Sequence, residues 1–353
     1  PTVSDPCLFF KRSRGGRLML LYLFVDDFQS LYFGADAAEW AELKAMLVQQ
    51  YQVKDLGPSS WILGMAIRRD RAARKIFLDQ ELYVTKALEK YGLAQCRPVA
   101  TPECISSDAR EPNETSSPQG GQVDKHAFQE IVGTLLYAAI STRLDIAHAV
   151  HQLTRQMQDP QPSDMQAARR ILRYLAGSAK WCLQFGGRRG GDESLHQPLE
   201  VIAFADADWA NDKADRRSVS GWVVQLDGNP IDWASKKQSI VAQSTCEAEL
   251  YAEAAAINEV LWLRGMLEEL GLPLKSPSLV FGDNSSTQTI SRQGVKRKRT
   301  KHVDVKYHFI TECIERGIID LQWVPTERQQ ADILTKALDR AKLEVHREQL
   351  MSC

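Results

Sequence analysis

Four carboxylates in the C-terminal part of the chain offer the clearest chemistry. Asp206 lies at the end of an apolar, strand-like run, and Glu249 falls in the first turns of a long helical pattern. Asp283 ends the next apolar run, and Asp332 starts the last helical pattern. Acids at strand ends and helix starts can converge on one edge of a sheet. Held together they repel, so such a cluster calls for a cation. Oxygen-only ligands select hard Mg²⁺ or Mn²⁺. Two such ions can clamp the attacking water and the leaving oxygen of a phosphodiester. Taken one at a time, each acid reads as a helix cap or a solvated strand end. Spacing does not separate Asp206 from Asp208, because residues i and i+2 share a strand face.

The elements that must position these acids follow from pattern. Val201-containing Leu199–Ala207, Gly221–Leu226 and Ile231–Ser235 read as consecutive strands, followed by a helix over Glu247–Leu270. Leu279–Gly282 is a strand, Val305–Glu315 a helix and Ile318–Val324 a strand, and Ala331–Leu338 opens a final helix. That order predicts one α/β domain. Upstream, Leu18–Val25 and Phe28–Phe33 flank Asp26-Asp27 as a β-hairpin. Ala37–Gln50 has helical spacing, Trp61–Arg68 and Lys75–Leu78 read as strands, and Tyr83–Tyr91 reads as a helix closed by Gly92. Two helical patterns occupy Phe128–Met157 and Met165–Leu175, and breaks fall at 101–123 and at Gly186–Asp192.

Composition bounds the class. The 353 residues carry 44 Lys+Arg against 45 Asp+Glu, a net charge of −1, with 44% hydrophobic and 25% charged residues. At ~150 residues per domain this means two or three units. The balance excludes wholesale disorder and a generic basic coat, but leaves room for a local basic groove. Seven scattered cysteines without C-x-x-C spacing argue against a zinc site or a disulfide framework and fit a reducing compartment. The longest apolar run, Leu18–Val25, is far short of the ~20 residues that span a bilayer. The start resembles no signal peptide, and an opening Pro1 suggests a processed piece.

Five ordered blocks between about residues 199 and 340 resemble the RNase H domain of Ty1/copia-type LTR retrotransposon polyproteins: AFADADWANDKADRRSVSGW, SKKQSIVAQSTCEAELYAEAAA, FGDNSSTQTI, KRTKHVDVKYHFI and WVPTERQQADILTKAL. The resemblance implies an RNase H-like mixed five-stranded sheet. It puts the catalytic and metal-binding acids at Asp206, Glu249, Asp283 and Asp332. Glu249 is preferred to Glu247 because the general RNase H pattern, as the resemblance implies, places the ligand just before an apolar residue, here Leu250. The implied cofactor is two Mg²⁺ ions, with Mn²⁺ as a substitute. The implied reaction is water attack on the RNA strand of an RNA–DNA hybrid, leaving a 3′-OH and a 5′-phosphate, with the 2′-OH telling RNA from DNA. Beside the acids, Ser244, Thr245, Asn284 and Ser285 either contact sugar and phosphate or cap helices. The basic run Lys296–Arg299 with Lys301 and His302 is a phosphate strip, a nuclear-import signal or a solvated loop. Of these residues Lys298, Arg299, Lys301 and His302 are the expected nucleic-acid contacts, His302 reading equally as a structural histidine.

LMLLYLFVDDFQS resembles the YVDD catalytic hairpin of the same elements' reverse transcriptase, which makes Asp26 and Asp27 polymerase acids. YQVKDLGPSSWILGMAI, LDQELYVTKALEKYGLAQCRPVATP, AFQEIVGTLLYAAISTRLDIAHAV and AARRILRYLAGS resemble the segments that follow. The implied organisation is a palm remnant at 1–70, a thumb-like segment at 71–100, a linker at 101–123, a helical thumb/connection region at 124–190 and RNase H at 195–353. Two features depart from the family. Leu144 stands where Pro is frequent, and the palm's other metal-binding Asp and the fingers belong upstream of this hairpin. The chain alone is therefore not expected to polymerise DNA. The expected partners are an RNA–DNA hybrid and the rest of the Pol polyprotein, with no membrane. The expected setting is intracellular, in a cytoplasmic virus-like particle or the nucleus, and not secreted. The alternative is a catalytically silent, nucleic-acid-binding remnant.

Overall fold

Residues 1–51, 53–105, 123–186, 198–212, 215–285, 287 and 301–353 are described by a computed structural model, with backbone alone for 301–304. Most of the expected linker, the Gly-rich break after Gly186, Lys298 and Arg299 lie outside these residues.

Three antiparallel strands open the chain: β1 (Leu8–Arg12), β2 (Leu18–Phe24) and β3 (Asp27–Leu31). Phe24 pairs with Asp27, so the hairpin turn is Val25-Asp26, with Val25 held at φ 53°. A β-branched residue pays steric strain in that left-handed region. Helix α1 (Ala37–Tyr51) follows. The run expected as one strand over Trp61–Arg68 is instead a hairpin, β4 (Trp61–Ile62) and β5 (Met65–Asp70), because Leu63 and Gly64 both take positive φ. Then come β6 (Lys75–Asp79) and α2 (Glu81–Lys90).

The helical run expected over Phe128–Met157 divides into α3 (Lys125–Ser141) and α4 (Ala147–Thr154). The break has an electrostatic cause. Arg143 is almost completely buried, and its guanidinium donates to Asp145 at 2.9 and 2.7 Å and to the Ser178 carbonyl at 2.8 Å. A continuous helix would not bring Arg143 and Asp145, two residues apart, face to face. Helix α5 (Pro162–Ser178) leads into β7 (Leu183–Phe185), which pairs with β6 and completes a four-stranded sheet of order β4-β5-β6-β7.

The C-terminal part is a mixed five-stranded sheet. β8 (Val201–Asp208), β9 (Val219–Leu226) and β10 (Asn229–Lys237) form an antiparallel meander. Helix α6 (Thr245–Glu269) crosses to β11 (Ser278–Gly282), parallel to β8, and α7 (Lys301–Glu315) leads to β12 (Ile319–Trp323), parallel to β11. The spatial order is β10-β9-β8-β11-β12. Period-two alternation divides β8 between two cores. Ala203, Ala205 and Ala207 belong with α6, while Phe204 packs with Val223, Leu334 and the α3–α5 helices.

The expected last helix does not start at Ala331. Residues Gln330–Leu334 form a 3₁₀ turn, and α8 (Arg340–Leu350) begins only after Asp339, whose side chain accepts from the Lys342 amide at 2.9 Å. The turn is pinned across the sheet rather than along a helix axis. Gln329 Nε2 donates to the Ala205 carbonyl at 2.8 Å.

Candidate active site

Open sheets bind ligands at the carboxyl ends of strands where the strand order reverses. Here that place is the join between β8 and β11. Asp206 comes from the end of β8, Asp283 directly follows β11, and Glu249 stands in the second turn of α6. One carboxylate oxygen from each of these three lies within 4.8 Å of the others. Helix α6 approaches closely because the residues it presents are small: Ala248, Ala252, Ala254 and Ala256 are fully buried. Larger side chains there would lift Glu249 off the edge.

Neighbouring groups hold the acids. Thr326 Oγ1 donates to Asp283 Oδ2 at 2.8 Å, and Trp323 Nε1 donates to the Asp283 carbonyl at 3.0 Å. Thr335 Oγ1 donates to Asp206 Oδ2 and to the Asp332 carbonyl. The register of β8 with β9 sets Asp206 opposite Gly221. A Cβ at Gly221 would stand 2.6 Å from Thr335 Cγ2 and 2.8 Å from Leu334 Cβ. Only a glycine lets the 3₁₀ turn sit down on the sheet beside Asp206.

The electrostatics are those of acids crowded in a dry place. Burial pushes Asp206 up to about 7; Lys336 opposes the shift, and Asp332 and Asp283 add to it. Burial raises Glu249 to about 10, with Asp206, Asp283 and Glu253 contributing. Burial also raises Asp208, which shares the strand face of Asp206 but stands outside the three-acid group. A divalent cation would take the place of the protons that this crowding favours, and the all-oxygen donor set suits a hard ion. The residues present fit Mg²⁺ or Mn²⁺.

Asp332 also lies near this edge. It is buried beside Asp206, and Lys336 Nζ is 2.9 Å from its Oδ1 and 3.9 Å from Asp206 Oδ2. Lys336 thus touches both the fourth acid and Asp206, which also touch each other. Ser244 caps α6 by accepting from the Glu247 amide at 3.1 Å, and Asn284 Oδ1 accepts from the Thr287 amide at 3.3 Å. Lys301 and His302 begin α7, four residues ahead of the expected helix start. Asp26 and Asp27 are exposed at the β2–β3 turn of a different sheet, and the three-acid group contains neither.

Sequence reading missed three groups. Thr326 and Thr335 are the hydroxyls that orient Asp283 and Asp206, and nothing in a lone Thr advertises this. Glu253 had a signal. Four residues after Glu249, it lies on the same helix face. It is 1% exposed, neither of its oxygens has a hydrogen-bond partner among the described residues, and burial, then Asp283, pushes it up to about 8.

Comparison with known proteins adds the following. Residues 4–105 match the family model described as reverse transcriptase (RNA-dependent DNA polymerase). The retrovirus-related Pol polyprotein from transposon TNT 1-94 of Nicotiana tabacum is 38% identical over 348 residues, covering 98% of this chain and 25% of that protein. The retrovirus-related Pol polyprotein from transposon RE1 of Arabidopsis thaliana is 34% identical over 339 residues, covering 96% of this chain and 22% of that protein. The chain thus spans about a quarter of the length of these relatives. Among solved structures, the N-terminal RNase H domain of rv2228c from Mycobacterium tuberculosis aligns with a TM-score of 0.30 at 15% identity, covering 42% of this chain and 97% of that chain. At that score the likeness adds nothing to the sheet order itself.

Proposed function

This chain belongs to the Pol polyproteins of copia-type retrotransposons, and from that premise we propose that its C-terminal sheet is a divalent-metal ribonuclease H that cuts the RNA strand of RNA–DNA hybrids. The observation that carries the reading is the meeting of Asp206, Glu249 and Asp283 within 4.8 Å at the β8–β11 join. These three residues would hold the ion, and Asp332 is the acid available to complete a two-ion site. Bound there, the metal supplies Lewis-acid polarisation of the phosphodiester and a water nucleophile at neutral pH.

The chain's own groups do the positioning. Thr326 and Thr335 fix the carboxylates of Asp283 and Asp206, so that little rearrangement is needed when charge develops at the phosphate. Trp323, half exposed beside Asp283, and the first turn of α6 border the edge where a hybrid would lie. Ser244 and Asn284 hold these segments in shape as caps, and the exposed Ser244 hydroxyl would be available to the nucleic-acid backbone. Lys298, Arg299, Lys301 and His302 would supply phosphate contacts from the segment entering α7. The hairpin acids Asp26 and Asp27 would serve polymerisation together with groups elsewhere in the Pol polyprotein, and such an assembly works inside the cell.

The test is substrate discrimination by the full chain. With Mg²⁺, labelled RNA is expected to be cut in an RNA–DNA hybrid and spared in an RNA duplex, with no cutting in EDTA. Equal cutting of both duplexes, or none of the hybrid by folded chain, would refute the proposal.

A further inference from the structure

Asp332 is in contact with Asp206, one of the three converging acids, and a single cationic side chain touches both. Lys336 follows Asp332 by four residues, and its ammonium is 2.9 Å from Asp332 Oδ1 and 3.9 Å from Asp206 Oδ2. Its placement is not that of a loose surface lysine. The preceding residue, Thr335, is hydrogen-bonded to Asp206, so the backbone carrying Lys336 is tied to the acid that Lys336 faces. That backbone is seated on Gly221, where a Cβ would meet Thr335 and Leu334. The side chain is only 36% exposed, and its two acidic partners are both buried.

A cation bridging Asp206 and Asp332 has a consequence for metal binding. Two-ion sites set their ions ~4 Å apart. Asp206 belongs both to the three-acid group and to the pair with Asp332, so a second ion held by that pair would compete with Lys336 for the same two carboxylates. A divalent ion entering there would meet a fixed positive charge whose two anionic partners are the ligands it needs.

Resting on the metal-dependent reading above, we infer that Lys336 is the built-in cation of this site. Its ammonium neutralises the Asp206–Asp332 pair that a second ion would need, so the chain without nucleic acid takes up a single divalent ion, at Asp206, Glu249 and Asp283. A scissile phosphate gives the ammonium another anionic partner, in a charge-assisted contact. Lys336 is therefore the residue that ties second-ion entry to the arrival of substrate.

The experiment counts ions on the full chain without nucleic acid. Mn²⁺ is titrated in and its free concentration read by electron paramagnetic resonance, so no catalysis is needed. Wild type and Lys336→Arg are expected to bind one Mn²⁺. Lys336→Met, which keeps the stem and loses the charge, is expected to bind two, the second at least tenfold tighter than any second ion on wild type. Thermal melts establish that the variants fold, and Lys336→Gln replaces Lys336→Met if the latter does not. One ion on the neutral variant at unchanged affinity, or two ions on wild type, overturns the role of Lys336 and leaves the metal-dependent reading standing. No Mn²⁺ bound by folded wild type overturns both.

Discussion

Asp206, Glu253 and Glu249 are raised by burial to about 7, about 8 and about 10 respectively. Folding therefore favours their protonated forms, and the sign of the effect follows. In the unfolded chain all three are ionised by ~pH 6.5. Above that point the folded protein still holds protons that the unfolded chain has lost, so its stability falls as pH rises. His151, held down to about 4 mainly by burial, acts in the opposite direction, but it is a single group and its effect is spent by ~pH 7.5. The metal-free chain should melt several degrees lower at pH 8.5 than at pH 6.5. Mg²⁺ added at pH 8.5 should recover the loss, and Asp206→Asn should flatten the slope. Calorimetry in EDTA checks this, and a melting temperature that rises over the same interval would contradict the assigned burial of these acids. At this scale the sequence was partly legible. Asp206 and Asp283 end apolar runs and Glu249 opens a helical pattern, but each alone reads as a cap or a solvated end, and it is the resemblance to a known family that singles out the set. Lys336 was hidden because its meaning depends on what packs around it, and Glu253 showed only as a second acid on the helix face of Glu249.

Whole elements decide where those acids point. The 3₁₀ turn over Gln330–Leu334 is the clearest case, since it carries Asp332 and is followed by the hydroxyl that holds Asp206. Its seat is Gly221 on β9. Gly221→Ala suits a strand backbone, yet it inserts a methyl 2.6 Å from Thr335 Cγ2. Overpacking of this kind costs ~1–3 kcal/mol. The expected result is a lower melting temperature and a hybrid-cleavage rate reduced at least tenfold, since the displaced turn takes Thr335 and Lys336 with it. Melts and initial rates measure the two effects, and an unchanged rate would show that the turn does not position the acids. Periodicity revealed the long elements here, including α6 and the β8–β10 meander. It failed at 331–338, where a helical pattern is overridden by Gln329 binding across to Ala205. It failed again at 142–146, where a buried Arg143–Asp145 pair breaks a run that looked continuous.

At the scale of the molecule, the helical region and the C-terminal sheet share one apolar core that runs from Phe128 and Leu172 through Phe204 and Val223 to Leu334 and Leu350. A polar chain runs beside it. Arg143 binds Asp145, Tyr174 donates to Asp145 at 2.6 Å, and Arg347 of α8 donates to the Tyr174 oxygen at 2.8 Å. Breaking such a buried network by removing one charge typically costs ~3–5 kcal/mol. The N-terminal residues reach the same body from the other side, with the Ser4 amide donating to Glu269 Oε1 at 3.0 Å and Arg12 to the Leu270 carbonyl at 2.7 Å. Near-zero net charge in the composition gave no hint of this arrangement, because acids and bases that meet in space are scattered in sequence. The central claim concerns the whole chain as an enzyme, and one comparison tests it most directly. Full-length wild type and Asp206→Asn are incubated with a labelled RNA–DNA hybrid and Mg²⁺. The account predicts cut RNA ending in 3′-OH and 5′-phosphate for wild type and none for the variant; a folded wild type that leaves the hybrid intact, or an Asp206→Asn chain that still cuts it, would contradict the account.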